Sequence, residues 1–292
     1  MNVVGVDIGG TKIAALIVDS AGRELSRLSG PTDPSRLING VADLISDAVR
    51  LSKQPFSSIQ AVGIGVPGMV DPERGEVSHA VNLDINRPLP LGAALAERFG
   101  VPIKLENDVR LAALGAFEYL QLPNLAYLNI GTGIAAGIVL DGQLYRGQNG
   151  MAGEIGYVHL NDQQEMLETS ISGPALVRQA VAAGLSASHA GDVYALADCG
   201  NVAAAKIVDR AAYLTATAIQ WLLLAYDVDA VVLGGGVTAS GSSFLKPIFI
   251  HMARQRAASP LHALMLPESK ITVLPSGFNA GLWGGIHLAR QG

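Results

Sequence analysis

One block of the sequence occurs twice, and this limits the folds open to the chain more than any other feature. Asp7-Ile8-Gly9-Gly10-Thr11-Lys12-Ile13-Ala14-Ala15-Leu16-Ile17-Val18-Asp19 lies without a gap under Asn129-Ile130-Gly131-Thr132-Gly133-Ile134-Ala135-Ala136-Gly137-Ile138-Val139-Leu140-Asp141, an offset of 122 positions (131 less 9). Solenoids repeat every 20–50 residues or so; a period this long instead predicts two related domains, each opening on the same glycine-tipped hairpin. The length of 292 residues accommodates that, because an ordinary domain takes about 100–200 residues.

The pattern between the repeats is that of an α/β chain. Val3 to Val6 and Ile13 to Val18 are apolar, branched runs interrupted by Gly9-Gly10, and a third strand is expected over Arg23 to Arg27. Between Leu37 and Leu51 the apolar residues Val41, Leu44, Ile45, Ala48 and Val49 form a helical stripe, and Ala61 to Gly65 reads as a buried strand. Further helices are expected over Pro88 to Phe99, Asp108 to Leu120, Pro174 to Ala183, Val202 to Tyr226 and Phe244 to Arg256, with strands over Pro102 to Leu105 and Ala230 to Leu233. Asn107 or Asp108 caps its helix, so Asp108 falls where a strand ends and a helix begins. In open α/β sheets ligands gather at that end of the strands.

Composition excludes several classes of partner. A net charge of −5 with 15% charged residues offers no basic face for nucleic acid or an anionic membrane. The most apolar stretch, Tyr213 to Gly236, is broken by Gln220, Asp227 and Asp229, and no charged-then-apolar leader precedes Val3, so neither a spanning helix nor a signal peptide is expected. The single cysteine, Cys199, forms no internal disulfide; it fits a reducing, cytoplasmic setting and is expected to be a small buried residue. The methionines and the aromatics Phe117, Tyr119, Trp221 and Trp283 are expected in core packing.

The residues that can carry chemistry each have a bland alternative. Gly9-Gly10 and Gly131-Thr132-Gly133 let backbone N–H groups approach phosphate oxygens, with Thr11 and Thr132 as hydroxyl donors, yet either turn alone also suits a plain hairpin. Asp7 ends a buried strand, where a magnesium ion or its waters would compensate the charge; a carboxylate capping its own turn is the alternative. Glu106-Asn107-Asp108 offers acceptor, donor and base together, as deprotonation of a sugar hydroxyl requires, or else a helix cap. Gly234-Gly235-Gly236 permits a flat ring to lie on bare backbone, or makes a simple turn. No Walker A pattern and no dinucleotide glycine fingerprint occurs at these turns.

Taken in order, Asp7-Ile8-Gly9-Gly10-Thr11-Lys12, Gly65-Val66-Pro67-Gly68, Glu106-Asn107-Asp108, Gly131-Thr132-Gly133, Gly153-Glu154-Ile155-Gly156, Leu167-Glu168 with Ser172-Gly173-Pro174, and Gly234-Gly235-Gly236 resemble the ROK family of bacterial sugar kinases and sugar-responsive repressors. The resemblance covers essentially the whole chain. It implies a duplicated actin-like ATPase (ribonuclease-H-like) fold, with the active site in an interdomain cleft that closes on sugar. The expected division is 1–107, joined by a C-terminal helix over 280–292, and 108–279. It also implies a glucokinase-like enzyme that phosphorylates the 6-hydroxyl of a hexose from ATP and magnesium, working in glycolysis as a cytoplasmic homodimer.

The same resemblance places the roles residue by residue. Asp108 takes the proton from the 6-hydroxyl; Asn107, Glu154 and Glu168 bond the other ring hydroxyls, and Gly68 and Asn82 join them at the sugar. Gly9, Gly10, Thr11 and Lys12 face the phosphates from one side and Gly131, Thr132 and Gly133 from the other. Gly234, Gly235 and Gly236 lie under the adenine, and Asp7 stands near magnesium. One departure is plain: many members carry a His after Gly-Glu-Ile-Gly and then a zinc-binding cysteine cluster. Here Tyr157 replaces the His, and no cysteine lies between Gly156 and Glu168, so no zinc site is expected. His159 is a candidate substitute at the sugar, although a lone His on an alternating strand is more often a surface or packed residue.

Two alternatives remain at this stage. Kinases for N-acetylmannosamine or N-acetylglucosamine differ in the room around the sugar 2-position, and some relatives take polyphosphate as donor. A sugar-responsive transcriptional regulator needs a helix-turn-helix ahead of the first hairpin, which begins at Asn2, so no nucleic-acid partner is expected.

Overall fold

The structure, a computed structural model, describes residues 1–291. The chain divides into two compact units, 1–121 with 147–150 and 276–291, and 122–146 with 151–275. In the first unit, strands β1 (Asn2–Ile8), β2 (Lys12–Val18) and β3 (Glu24–Pro31) form an antiparallel meander. Helix α1 (Leu37–Leu51) follows, then β4 (Ile59–Val66), a two-stranded ribbon of β5 (Met69–Asp71) and β6 (Glu76–Ser78), α2 (Leu91–Phe99), β7 (Ile103–Asn107) and α3 (Asp108–Leu120). β4 adds parallel to β1 and β7 parallel to β4, giving the order β3-β2-β1-β4-β7.

The second unit repeats this order. β8 (Leu125–Ile130), β9 (Ile134–Leu140) and β10 (Gln143–Tyr145) form the meander. Helices α4 (Leu167–Ile171), α5 (Gly173–Ala182), α6 (Ala190–Asp198) and α7 (Val202–Tyr226) precede β11 (Ala230–Gly234), and α8 (Ser242–Arg256) and α9 (Pro260–Met265) precede β12 (Ile271–Val273). β11 and β12 add in parallel, giving β10-β9-β8-β11-β12. The duplication is therefore real, but the ungapped superposition needs a correction. Ile8 pairs with Ile13 across the first turn and Ile130 with Ile134 across the second. The second turn is one residue shorter, so the offset is 122 before the turn and 121 after it.

Each sheet is covered by helices because its strands are apolar on both faces. β1 and β2 are buried almost end to end, and α1 turns Leu37, Val41, Ala42, Ile45, Ala48 and Val49 inward at helical spacing. Each such Leu, Ile or Val contributes about 1.5–3 kcal/mol by leaving water. The opposite face of the first sheet carries the C-terminal helix (Ala280–Arg290), which packs backbone to backbone: a Cβ on Gly285 would stand 2.8 Å from the Gly5 Cα. Helix α3, expected with the second domain, instead lies along this helix in the first unit; Gly115 and Gly284 allow the close approach.

Other details depart from the expectations. α2 begins at Leu91 rather than Pro88, because Leu89 is engaged by Val77 in a β-bridge. Cys199 is exposed at the end of α6 rather than buried, and Tyr119 is exposed, against Phe278. Among the described residues no helix is long and apolar enough to cross a membrane.

Candidate active site

In the first unit, three parallel strand ends bring the expected residues to one edge of the sheet. Asp7 is level with Gly65, and Gly65 and Val66 are level with Glu106 and Asn107. Asn107 caps α3, its side-chain oxygen accepting from the N–H groups of Val109 (3.0 Å) and Arg110 (3.2 Å), and its amide donates to the Gly68 carbonyl at 3.2 Å. Gly68 has φ 100°, a conformation in which a side chain would be strained. Asp108 is the first residue of α3, and one carboxyl oxygen accepts from Val109 N–H at 3.0 Å.

The third member of the triplet has a different task. Glu106 is fully buried and pairs with Arg110 at 2.7 Å, while also accepting from the Asn107 N–H. Arg110 donates onward to the Gly150 carbonyl at 2.6 Å. Glu106 is thus a brace for Asn107, paired with Arg110 inside the protein.

The first glycine turn is held by Gly9 N–H donating to Lys12 O at 2.8 Å and by Thr32, whose hydroxyl donates to Gly9 O at 2.7 Å. Thr11 and Lys12 are exposed. Asn82 is also exposed and lies against Gly10, where a Cβ would come within 3.1 Å of the Asn82 Cβ. Burial pushes the Asp7 carboxyl above its ordinary value, and a hydrogen bond from Asn279 partly offsets the shift. A withdrawn carboxylate at the end of a strand is of the kind that suits magnesium, which binds through one or two carboxylates and completes its shell with phosphate oxygens and water. Among the described residues no group of three or more His, Cys, Asp or Glu side chains is placed so that it could hold a metal ion.

In the second unit, Gly131 N–H donates to Gly133 O at 3.0 Å and Gly131 O accepts from Gly173 N–H at 2.8 Å, joining the turn to the start of α5. Gly131, Thr132, Gly173 and Gly236 line a pocket of about 1060 Å³ whose far wall comes from α6, including Asp192, Tyr194 and Asp198. Of the three consecutive glycines, Gly236 lines this pocket; Gly234 sits on the Tyr127 ring and Gly235, at φ 90°, on the Ile130 backbone. Those two are glycines for packing against β8. Glu168 accepts from Ile134 N–H at 2.9 Å and lies over the turn: a Cβ on Gly133 would stand 2.8 Å from its carboxylate. Glu154 is half-buried at the end of the Met151–Gly153 turn, where Gly153 O accepts from Ala136 N–H at 2.7 Å. His159 is exposed and bridged to Met166 through its backbone.

The α6 wall is the part that sequence reading missed. Its signal was a capping pattern, with Asp192 accepting from the Ser188 and His189 N–H groups at the head of the helix. Burial pushes the Tyr194 phenol far up, so it stays neutral.

Two sheets of the same strand order, each opening on a glycine-tipped hairpin, define the duplicated actin-like ATPase class. The comparisons give the finer placement. The sequence profile of the ROK family matches residues 3–292, and the chain belongs to that family. It is 30% identical to a glucokinase of Halalkalibacterium halodurans over 99% of this chain and 94% of that protein. The crystal structure of a ROK hexokinase from Thermus thermophilus superposes with a TM-score of 0.85 at 30% identity, covering 99% of this chain and 98% of that one. A ROK glucokinase from Streptomyces griseus, solved with glucose and AMPPNP, superposes with a TM-score of 0.78 at 29% identity over the full length of both chains.

Proposed function

We propose that this protein is an ATP-dependent hexose kinase that phosphorylates the sugar 6-hydroxyl, with glucose as the first candidate substrate. The observation that carries the reading is Asp108, set at a helix N-terminus beside a strand end and steadied by the Asn107 cap. Asp108 accepts the proton of the attacking hydroxyl. Asn107, Glu154 and Glu168 hold ring hydroxyls, and Gly68 and Asn82 shape the same sugar site. In the second unit the pocket receives the nucleoside, Gly236 passing under the base, and Gly131, Thr132 and Gly133 turn towards the phosphates; Gly9, Gly10, Thr11 and Lys12 present N–H, hydroxyl and ammonium groups to them in the first unit. Asp7 would hold magnesium, which when bound would supply charge neutralisation at the phosphates. Because phosphoryl transfer is mostly positioning and charge stabilisation, one base and many oriented donors suffice.

A pocket of about 1060 Å³ beside the second turn, with ample room for a nucleoside, favours ATP over polyphosphate as donor. The glucokinase relative and the glucose-bound structure favour glucose over an N-acetylhexosamine. We further infer a cytoplasmic setting, in line with the single cysteine, and, by resemblance to the family alone, a homodimer feeding glycolysis. The test is ADP release across glucose, mannose, fructose, N-acetylglucosamine and N-acetylmannosamine, with wild type and Asp108→Asn. Wild type turns over glucose best, and Asp108→Asn binds it but loses roughly 10²–10⁴-fold in kcat, the usual scale of a general base. Retention of turnover within a few-fold by Asp108→Asn defeats the assignment; a preference for N-acetylmannosamine moves the substrate.

A further inference from the structure

The short helix that carries Glu168 cannot orient itself. α4 has five residues, far fewer than an isolated helix needs, so its rotation is fixed by what holds it. Leu167 and Ile171 anchor it in the core, and ahead of it runs a hairpin closed by Leu160 N–H donating to Glu165 O at 2.7 Å and Leu167 N–H to Val158 O at 3.0 Å. This hairpin buries little: Tyr157, Val158 and His159 are exposed. It is also the segment in which the sequence has no cysteine.

A single carboxylate gathers these pieces. Glu165 accepts from the Arg210 guanidinium on both oxygens, at 2.6 and 2.7 Å. It also accepts from the Ser170 hydroxyl at 2.7 Å and from the Asn161 amide at 2.9 Å. The hydroxyl fixes α4, the amide fixes the hairpin tip, and Arg210 ties both to α7, a 25-residue helix rooted in the core through Val208, Ala211 and Ala212. Ser170 stands two residues from Glu168, so the rotation of α4 that Glu165 holds is the rotation that sets Glu168 on the Ile134 N–H. These bonds hold the Glu165 carboxyl below its ordinary value, the Ser170 hydroxyl contributing most.

We propose that Glu165 and Arg210 are positioning residues for sugar binding: a carboxylate–guanidinium clamp that fixes Glu168 against the second glycine turn. What Glu168 does there rests on the kinase reading; that the clamp holds it does not. The test therefore has two arms on the full chain, sugar and ATP kinetics, and amide hydrogen exchange at Ile134 and Leu167 without ligands. Arg210→Met is expected to raise the sugar KM roughly fivefold, the scale of losing a partly exposed charge pair, and to speed exchange at Ile134 similarly. The ATP KM stays within about twofold, and Arg210→Lys restores most of the loss. Glu165→Gln gives the same split and replaces Arg210→Met should that variant fail to fold. The clamp is overturned if sugar KM and Ile134 exchange both stay at wild-type values, or if the ATP KM rises in parallel with the sugar KM. If wild type phosphorylates no sugar, the kinase reading falls, and exchange at Ile134 alone decides the clamp.

Discussion

Arg110→Met should be among the most destabilising single changes in the first unit. The guanidinium is 5% exposed, and its partner Glu106, 2.7 Å away, is fully buried. Removing it leaves a carboxylate in the interior without the cation that compensates it, and it releases the Gly150 carbonyl from its 2.6 Å bond. Breaking a buried pair from one side costs about 3–5 kcal/mol. At roughly 2–4 °C per kcal/mol for a unit of this size, the melting temperature should fall by about 10 °C. Replacing both partners, Glu106→Gln with Arg110→Met, removes the stranded charge and should recover part of the loss, so the two substitutions are non-additive. Thermal melts of the four proteins give the cycle, and kcat at a temperature where all are folded reports whether Asn107 and Asp108 move with the brace. A melting temperature of Arg110→Met within about 2 °C of wild type would refute the argument, since it would mean that the Glu106 charge does not need the guanidinium.

Gly133→Ala forces a Cβ to 2.8 Å from the Glu168 carboxylate and should displace it, lowering kcat/KM for sugar by at least roughly tenfold while a thermal melt changes little. Gly285→Ala meets the Gly5 backbone at 2.8 Å and the first sheet has no flexible side chain there to yield, so the protein should lose about 1–3 kcal/mol in chemical denaturation. For Asp7 the sign runs against intuition. Its folded pKa is raised by burial, so the native state holds the proton more tightly than the unfolded chain; stability is full below the ordinary carboxylate value and declines as pH rises through the raised one. Without nucleotide and metal, Asp7→Asn should therefore melt higher than wild type at neutral pH, equal it in acid, and still lose activity.

Much of the fold is local and so was legible. The branched runs on either side of Gly9-Gly10 name a hairpin, and α3 starts at Asp108 as expected, with Asn107, one of the two candidates, as its cap. The one-residue difference between the two turns was hidden because Ile13-Ala14-Ala15 and Ile134-Ala135-Ala136 flank them with the same residue types, so either offset superposes apolar on apolar. The allegiance of α3 depends on glycines 170 residues away, in the C-terminal helix, and no local pattern carries that.

The candidate site was readable where backbone chemistry names a residue and unreadable where a side chain's partner decides its role. Glu106 and Asp108 are two acids in one triplet, and a reading by residue type gives both to the sugar. Spacing separates them: Arg110 lies four residues beyond Glu106 and pairs with it in the interior, while Asp108 is the first residue of the helix and accepts from Val109 N–H. Gly234 and Gly235 likewise look the same as Gly236 in sequence, and only the structure shows that a Cβ on them would meet the Tyr127 ring and the Ile130 backbone, while Gly236 has open space. Glu165 belongs to the same class of case, since its four hydrogen bonds come from three donor groups at positions 161, 170 and 210, and only their convergence turns an ordinary loop carboxylate into the proposed clamp behind Glu168. In this chain, then, the groups proposed to touch ligand sit on turns and helix starts that sequence can mark, and the groups that aim them are set by contacts across the chain.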